Sequence, residues 1–587
     1  LQVTSRPNND RSLMIVVLDF GGGLVSGDEI RLKFHVKSGA SATITSQSTT
    51  KAFKTIIGRP DTFLCTDVMV EEGALLALVP QPIQCYNESK LRQETSITLT
   101  YASSRNNLAP SLLFVDWYTG GGRSLDHGNW KFNSFHTCTE LKWLNIDSGK
   151  ISTIFKDQSI LAGGDELSRH MRAFNIVCLV LLVGPRVANV ADKLIKQFSS
   201  RGHYEGSCSN GHNGAVGLDH NRDQLLVSCG SFPLVPGIEG EGVLVRIAAR
   251  SMEQASVFLS CYIGDLDGQL EEDPFEDILS THQVINTQKR INCETSSEEI
   301  SLSCGLLKLP LQAAAESANK GNQNVSKYSS LQALVSPMCL YQLVDSSSPT
   351  GGFAHSNTLE AACQLHFINE NYPLLQYVWE VLLQTTTTMI PFLVRSCRLF
   401  QEPENASGSI SWGVLVDAWE RLDNDLSAML TSHVARRASS VQGSGILRAY
   451  SGVYSQIRDQ ILSLKSRIND SSSSAGCRGQ AATCFGAVCG LLRVCPNQAA
   501  NMFIYTVARD IINAGVRLNV IGPIEGGYFI QLLCDKISYV LEKYFFCSVG
   551  SKELPSVSEP DTAHQIAPLL EILANAHDRL YSRLFNS

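Results

Sequence analysis

The spacing of apolar residues changes midway along the chain, and no single packing scheme serves both patterns. Ile30-Arg31-Leu32-Lys33-Phe34-His35-Val36-Lys37 alternates with a period of two, which places apolar and polar side chains on opposite faces of a strand. The alternation returns at Ile97, Leu99 and Tyr101, and apolar runs stand at 175–183 and 242–249 with Gly, Asn, Ser and Asp clusters between them. Short runs bounded by turn residues read as strands. Further on, Trp412, Leu415, Val416, Trp419, Leu422, Leu426 and Met429 are spaced by three and four, which makes one stripe on a helix. Comparable stripes run through 358–400, 432–467, 478–495, 497–516 and 527–546, the pattern of a helical bundle. The expectation is a multidomain α+β chain, with a β-rich domain of few helices over 1–268 followed by an all-α helical bundle over 336–587. Residues 269–335, acidic at Glu271, Glu272, Asp273, Glu276 and Asp277 and then rich in Ser, Asn, Gln and Lys, form the expected flexible linker.

Length and charge narrow the function. A chain of 587 residues exceeds one ordinary core. A net charge of −8 gives no basic field to attract a phosphate backbone, so nucleic acid is not an expected partner. The apolar run Ile176 to Val183 ends at Gly184-Pro185, well short of the roughly 20 residues that cross a bilayer, and is expected to be a buried strand. Eighteen cysteines lie without CxxC pairs or regular spacing, which fits reduced, mostly buried thiols in a cytoplasmic protein.

Gly21-Gly22-Gly23-Leu24-Val25-Ser26-Gly27-Asp28 has the glycines of a phosphate loop, but Asp28 and Glu29 stand where a Lys and a hydroxyl residue would be needed. A turn between strands, with Asp28 bonding the loop backbone, fits better. His203, Cys208, His212 and His220 share the Gly-rich loop 201–222 and are weak candidates for metal ligands, since no pair has the spacing that fixes two ligands on one element. HExxH, GxSxG, kinase and papain-like signatures are all absent, so no catalytic residue is assigned.

Taken together, Gly21–Asp28 and Thr45-Ser46-Gln47-Ser48-Thr49-Thr50-Lys51-Ala52-Phe53 resemble the paired signatures of the UreD family, also called UreH. The resemblance continues through Pro80-Gln81-Pro82-Ile83, Val115-Asp116-Trp117-Tyr118, Gly122-Arg123 and 242–249. In the second half, the run from Leu343 to Ser356, containing Asp345-Ser346-Ser347-Ser348-Pro349-Thr350-Gly351-Gly352-Phe353, resembles the opening motif of the UreF family, with Leu359-Glu360 following. Arg437-Ala438-Ser439, Phe485-Gly486-Ala487-Val488, Val516-Arg517-Leu518 and the run from His577 to Ser587 extend the match in the family's order. Three departures stand out. Gly128-Asn129 replaces the family's usual Gly-Glu, Thr358 replaces a Gly before Leu-Glu, and the strands expected ahead of the glycine turn have no evident counterpart, so that domain is expected to be truncated at its start.

The resemblance implies a non-enzymatic urease accessory protein. Members of the two families bind each other, recruit the GTPase UreG and dock on apo-urease, while nickel passes in transit through an internal channel and no cofactor is held tightly. The UreF-like half would also self-associate. Partner-binding residues implied in this way are Asp28, Thr49, Lys51 and Arg123 in the first half, and Asp345, Pro349, Gly351, Gly352, Phe353, Ser356, Glu360, Arg517, Tyr581, Arg583 and Phe585 in the second. A local role is compatible with this: Pro349, Gly351 and Gly352 would make a turn leading into a helix, and Arg583 and Phe585 would dock the tail. Readings from other classes are a metal-dependent hydrolase built on the His203 to His220 loop and a general protein-interaction scaffold.

Overall fold

The computed structural model describes residues 2–6, 13–18, 22–102, 109–121, 130–199, 225–234, 240–264, 266, 336–369, 372–401, 411–469, 477–541 and 562–587. The 269–335 segment, Arg123, Gly128-Asn129 and the His203, Cys208, His212 and His220 loop lie outside them.

The first half winds between two sheets. Strands β1 (Gln2–Arg6), β2 (Leu13–Leu18), β4 (Ser41–Ser46), β5 (Thr50–Ala52), β7 (Leu75–Val79), β8 (Ile83–Cys85), β10 (Ser111–Gly120), β13 (Ile176–Val183), β14 (Leu226–Pro233) and β15 (Glu241–Ala249) form the larger sheet. Strands β3 (Glu29–Val36), β6 (Thr62–Val70), β9 (Lys90–Tyr101), β11 (Ser134–Asn145) and β12 (Ile151–Ala162) form the smaller, in the order β12-β11-β9-β6-β3. From β2 to β11 the long strands fall alternately in one sheet and the other, so neighbours within a sheet run parallel: β2/β4, β4/β7 and β7/β10 on one side, β3/β6, β6/β9 and β9/β11 on the other. Parallel neighbours need a long crossover. Here the strand in the opposite sheet serves as that crossover. The later strands β12 to β15 pair antiparallel and close the winding.

The hydrophobic patterns follow from what covers each face. Ile44, Leu76, Leu78 and Phe114 of the larger sheet meet Val68, Ile97, Leu99 and Trp143 of the smaller in one core. The outer face of the larger sheet is covered by helices α2 (Ala188–Ser199) and α3 (Met252–Leu259), whose Leu194, Phe198 and Phe258 pack on Leu113, Val115 and Val180. Burial on both faces explains the unbroken apolar run of β13, whereas the smaller sheet turns one face outward and keeps the alternation read in β3. Helix α1 (Asp165–Met171) bridges β12 and β13. One expectation is corrected: β1 and β2, an antiparallel pair, do precede the glycine turn. Their runs are short and separated by the polar residues 7–12, so the sequence carries little strand signal there.

The second half is helical: α4 (Leu359–Gln364), α5 (Leu374–Thr388), α6 (Ile390–Leu399), α7 (Trp412–Met429), α8 (His433–Val453), α9 (Arg458–Asn469), α10 (Ala481–Leu491), α11 (Pro496–Arg517), α12 (Pro523–Leu541) and α13 (Pro568–Ala576). Helix α7 spans the stripe that predicted it. Its buried Val416, Trp419, Leu422 and Leu426 face the bundle core.

The two halves share a seam. Tyr118, Trp130, Phe135, Leu161 and Met171 of the first half belong to the same buried cluster as Tyr377, Leu569 and Leu573 of the second. Gln565 joins the edge of β12 by a parallel bridge, donating to the Gln158 carbonyl at 2.7 Å and accepting from the Ile160 amide at 2.9 Å. Helix α13 lies against β14. Arg172, held at φ +54°, donates to the Phe367 carbonyl with its guanidinium 3.9 Å from the Phe367 ring centre and 4.2 Å from that of Tyr372. Arg436 donates to the Ser231 carbonyl at 2.9 Å, and Arg579 to the Cys229 carbonyl at 3.0 Å.

A seam of this kind should hold without the connecting chain. Cleavage at a protease site placed between residues 267 and 335 should leave two fragments that co-elute in size-exclusion chromatography. Arg172→Ala removes a charged hydrogen bond and two cation–π contacts, about 2 kcal/mol together, and should weaken the association of those fragments roughly 30-fold.

Candidate functional site

The two signatures of the first half meet in space. Leu24 donates to the Lys51 carbonyl at 2.7 Å, and Phe53 donates back to the Leu24 carbonyl at 2.9 Å. Asp28 accepts from the Val25 amide at 2.8 Å, which closes the turn. Thr49 lines a cavity of about 110 Å³ between the two sheets, together with Ser46, Ser48 and Thr50. Leu32, Phe34, Ile44, Leu64, Phe114 and Trp117 line its body.

At the polar end of this cavity lies Asp116, on the inner face of β10. It accepts from the Gln93 amide at 3.2 Å and from the hydroxyls of Thr139 and Thr137 at 3.4 and 3.5 Å. Burial pushes its carboxyl up to about 6, and the neighbouring Asp157 adds to the rise. Asp157 in turn meets Arg246 of β15 at 3.1 Å. Arg246 donates to the Thr431 hydroxyl of the second half at 2.9 Å, and Thr431 donates to Glu571 at 3.0 Å. Burial raises the Glu571 carboxyl as well. At a second point of the seam, His170 stands 3.0 Å from Glu380. Burial pushes the Glu380 carboxyl up to about 7 and the His170 imidazole down to about 4.

In the second half the signature residues build a clamp for the tail. Gly351 takes a left-handed conformation at φ +86°, and a Cβ on Gly352 would fall 2.2 Å from the Asp510 carboxylate, so the 352–354 turn tolerates little else against α11. Pro349 and Asp345 lie exposed on the preceding loop, where Asp345 accepts from the Ser347 amide at 2.8 Å. The buried Glu360 carboxylate accepts from the Leu584 amide at 2.7 Å and the Phe585 amide at 3.1 Å, and His577 stands 3.3 Å away. Ser356 donates to the Ser587 main-chain oxygen through its amide and its hydroxyl, and His355 meets the Ser587 hydroxyl at 2.8 Å. Arg517 donates to the Phe353 carbonyl at 2.6 Å and lies over the ring of Phe585 at 4.3 Å. Arg583 pairs with Asp578 at 3.2 Å. Burial opposes ionisation of Asp578, but bonds from His433, His577 and Arg437 hold its carboxyl far below the usual range.

Phe353, Ser356, Glu360, Arg517 and Phe585 are thus brought together, whereas Tyr581 stands fully exposed to one side. Thr358 sits at φ +67°, the left-handed position that explains why a glycine suits it, and its hydroxyl lies 2.6 Å from that of Tyr377. Asp116, Asp157, Arg246 and Glu571 were not picked out by spacing. A signal was present in the single charges inside the apolar runs Val115-Asp116-Trp117 and Val245-Arg246-Ile247, since a buried charge needs a partner. Among the described residues no cluster of three His, Cys, Asp or Glu side chains is placed to hold a metal ion, the cysteines are free, and no helix is long and apolar enough to cross a membrane.

Residues 1–274 match the family model for UreD urease accessory protein, and residues 370–530 match that for UreF. Urease accessory protein F of Oryza sativa subsp. indica is 32% identical over 245 residues, which cover 42% of this chain and 83% of that protein. Urease accessory protein F of Arabidopsis thaliana is 31% identical over 247 residues, 42% of this chain and 91% of that protein. Urease accessory protein D of Arabidopsis thaliana is 26% identical over 277 residues, 44% of this chain and 85% of that protein.

Two outcomes are expected. Glu360→Ala removes the acceptor of two amides and should cost about 3 kcal/mol, with limited proteolysis releasing the residues after Leu580. For Asp116 the folded pKa is raised, so its stabilising contribution is complete below the unfolded value near 4 and is lost as pH rises through about 6. Chemical denaturation between pH 4 and pH 7 should therefore show wild-type stability falling by roughly 2–3 kcal/mol relative to Asp116→Asn, which lacks the titration.

Proposed function

We infer, for a chain that belongs to the UreF family of urease accessory proteins and carries a UreD-type half ahead of it, that both scaffold components of urease maturation are supplied here in one polypeptide. The observation that carries this reading is the seam, across which the two family halves share a buried core and a strand edge. Joining the halves replaces a bimolecular docking step by an intramolecular one at roughly millimolar effective concentration.

In this reading the chain performs no catalysis of its own and works in the cytoplasm. It recruits the GTPase UreG, docks on apo-urease and passes nickel, as cargo, from one to the other through the interior of the complex. The clamp around Glu360 gives the helical half an ordered surface on which Phe353, Tyr581 and Leu584 stand exposed, suited to UreG or to a second copy of the chain. Exposed apolar groups gathered around a polar rim are what an interaction site requires.

A pull-down of UreG and apo-urease by the full chain, followed by urease activation with nickel and GTP, tests the scaffold. Both partners are expected on the bait, and binding of neither with GTP present sinks the reading. Arg583→Glu places a carboxylate beside Asp578 and is expected to cut recovery of UreG about tenfold, with the helical circular dichroism signal intact. Loss of that signal assigns Arg583 a structural role instead.

A further inference from the structure

One titratable pair bridges the seam and is distinct from the Asp116 group and the tail clamp. His170 on α1 of the first half and Glu380 on α5 of the second stand 3.0 Å apart, with side chains 11% and 4% exposed. Tyr372 and Gln376 hydrogen-bond to the carboxyl, and its Oε1 meets no donor among the described residues but the His170 ring. Met171 of the first half and Leu569, Leu570 and Leu573 of α13 enclose the contact. The other charges acting on the pair are Glu166 and Arg169 on α1 and Arg172, whose guanidinium is engaged with the Phe367 carbonyl and two aromatic rings. The space left beside the pair is about 10 Å³, no more than the minimum for one water. The contact is therefore direct, and too tight to carry a hydrated ion.

For separate ions in such surroundings, lost hydration outweighs the mutual attraction. A neutral carboxyl that donates to a neutral imidazole keeps the hydrogen bond without that loss. Water returns when the halves part. The free imidazole then holds its proton up to about pH 6.5, while the free carboxyl gives its proton up near about 4.3. Burial reverses the order, pushing Glu380 up to about 7 and His170 down to about 4. Taken singly, Glu380 strengthens the seam at low pH and loses that contribution as pH rises through about 7, whereas His170 strengthens it at high pH and loses that contribution as pH falls towards about 4. The two losses run in opposite directions over the same range and offset each other. We propose that His170 and Glu380 form a proton-sharing latch: joining the halves moves one proton from the imidazole Nε2 to the carboxyl Oε1, which donates it back in a hydrogen bond, and almost none is exchanged with solvent. The pair thereby holds the seam equally well in mildly acid and in neutral solution. The latch belongs to the seam alone and does not depend on what the chain binds.

Amide hydrogen exchange of the full chain at pH 5 and pH 8 tests it, read at Ile160, whose amide donates across the seam to the Gln565 carbonyl. The wild type, His170→Asn, Glu380→Gln and the double variant are compared. Each opening constant is divided by that of the double variant at the same pH, which removes the titrations of other groups. On that scale the wild type is expected to change less than about threefold between the two pH values. His170→Asn is expected to open at least about tenfold more readily at pH 8 than at pH 5, and Glu380→Gln at least about tenfold more readily at pH 5 than at pH 8. Where another variant does not fold, either single variant divided by the wild type carries the same expected slope. A larger change in the wild type, or a single variant whose change is smaller than expected or has the opposite sign, overturns the latch.

Discussion

The fold depends on covering one exposed sheet edge and one apolar face. A strand edge offers unpaired amides and carbonyls to any extended segment that reaches it. In the smaller sheet β12 is such an edge, and the Gln565 segment of the helical half takes it up. Helix α13 then closes over β14, and the apolar side chains of both halves join one cluster. Close approach is written into small residues: a Cβ on Gly230 of β14 would fall 2.5 Å from His433 Nδ1 at the start of α8. The first half is completed by the second rather than merely tethered to it.

Charge inside this seam is unevenly matched. Asp116 and Asp157 are buried carboxylates and Glu571 is a half-buried one, while Arg246 is the guanidinium paired with Asp157 and close enough to Glu571 to act on it. Burial raises both Asp116 and Glu571, so protons stand in for missing cations as the pH falls. Arg246 serves both halves at once, since the same side chain holds Asp157 within its own domain and Thr431 across the boundary. Removing it would leave the Asp157 carboxylate buried without its cation, which is more costly than the net worth of the pair.

The period of two and the period near 3.6 made the two halves and many elements legible, and the stripe in 412–429 fell on its helix without error. The winding of the first half was not legible, because a short loop between alternating strands looks the same whether it turns a hairpin or crosses to the facing sheet. The parallel pairing of β3, β6, β9 and β11 is set by that long-range choice. Likewise β1 and β2 carry little strand signal, their short runs being separated by polar residues. The clamp residues were legible as a set through family resemblance alone. Spacing could not bring Glu360 to Phe585, which are far apart along the chain and meet through one carboxylate.

The same three consecutive residues tie the clamp to the seam. His577 faces Glu360 in the clamp, Asp578 gathers His433, Arg437 and Arg583, and Arg579 reaches the carbonyls of β14 in the first half. Since α13 runs directly into this turn, displacement of the tail cannot leave the β14 contact untouched: the backbone that positions Arg579 is the backbone that positions His577. Coupling between two surfaces requires a shared element with differential contacts in each state. The 577–579 turn is shared by both contacts, and it connects the clamp of the helical half to strand β14 of the first half.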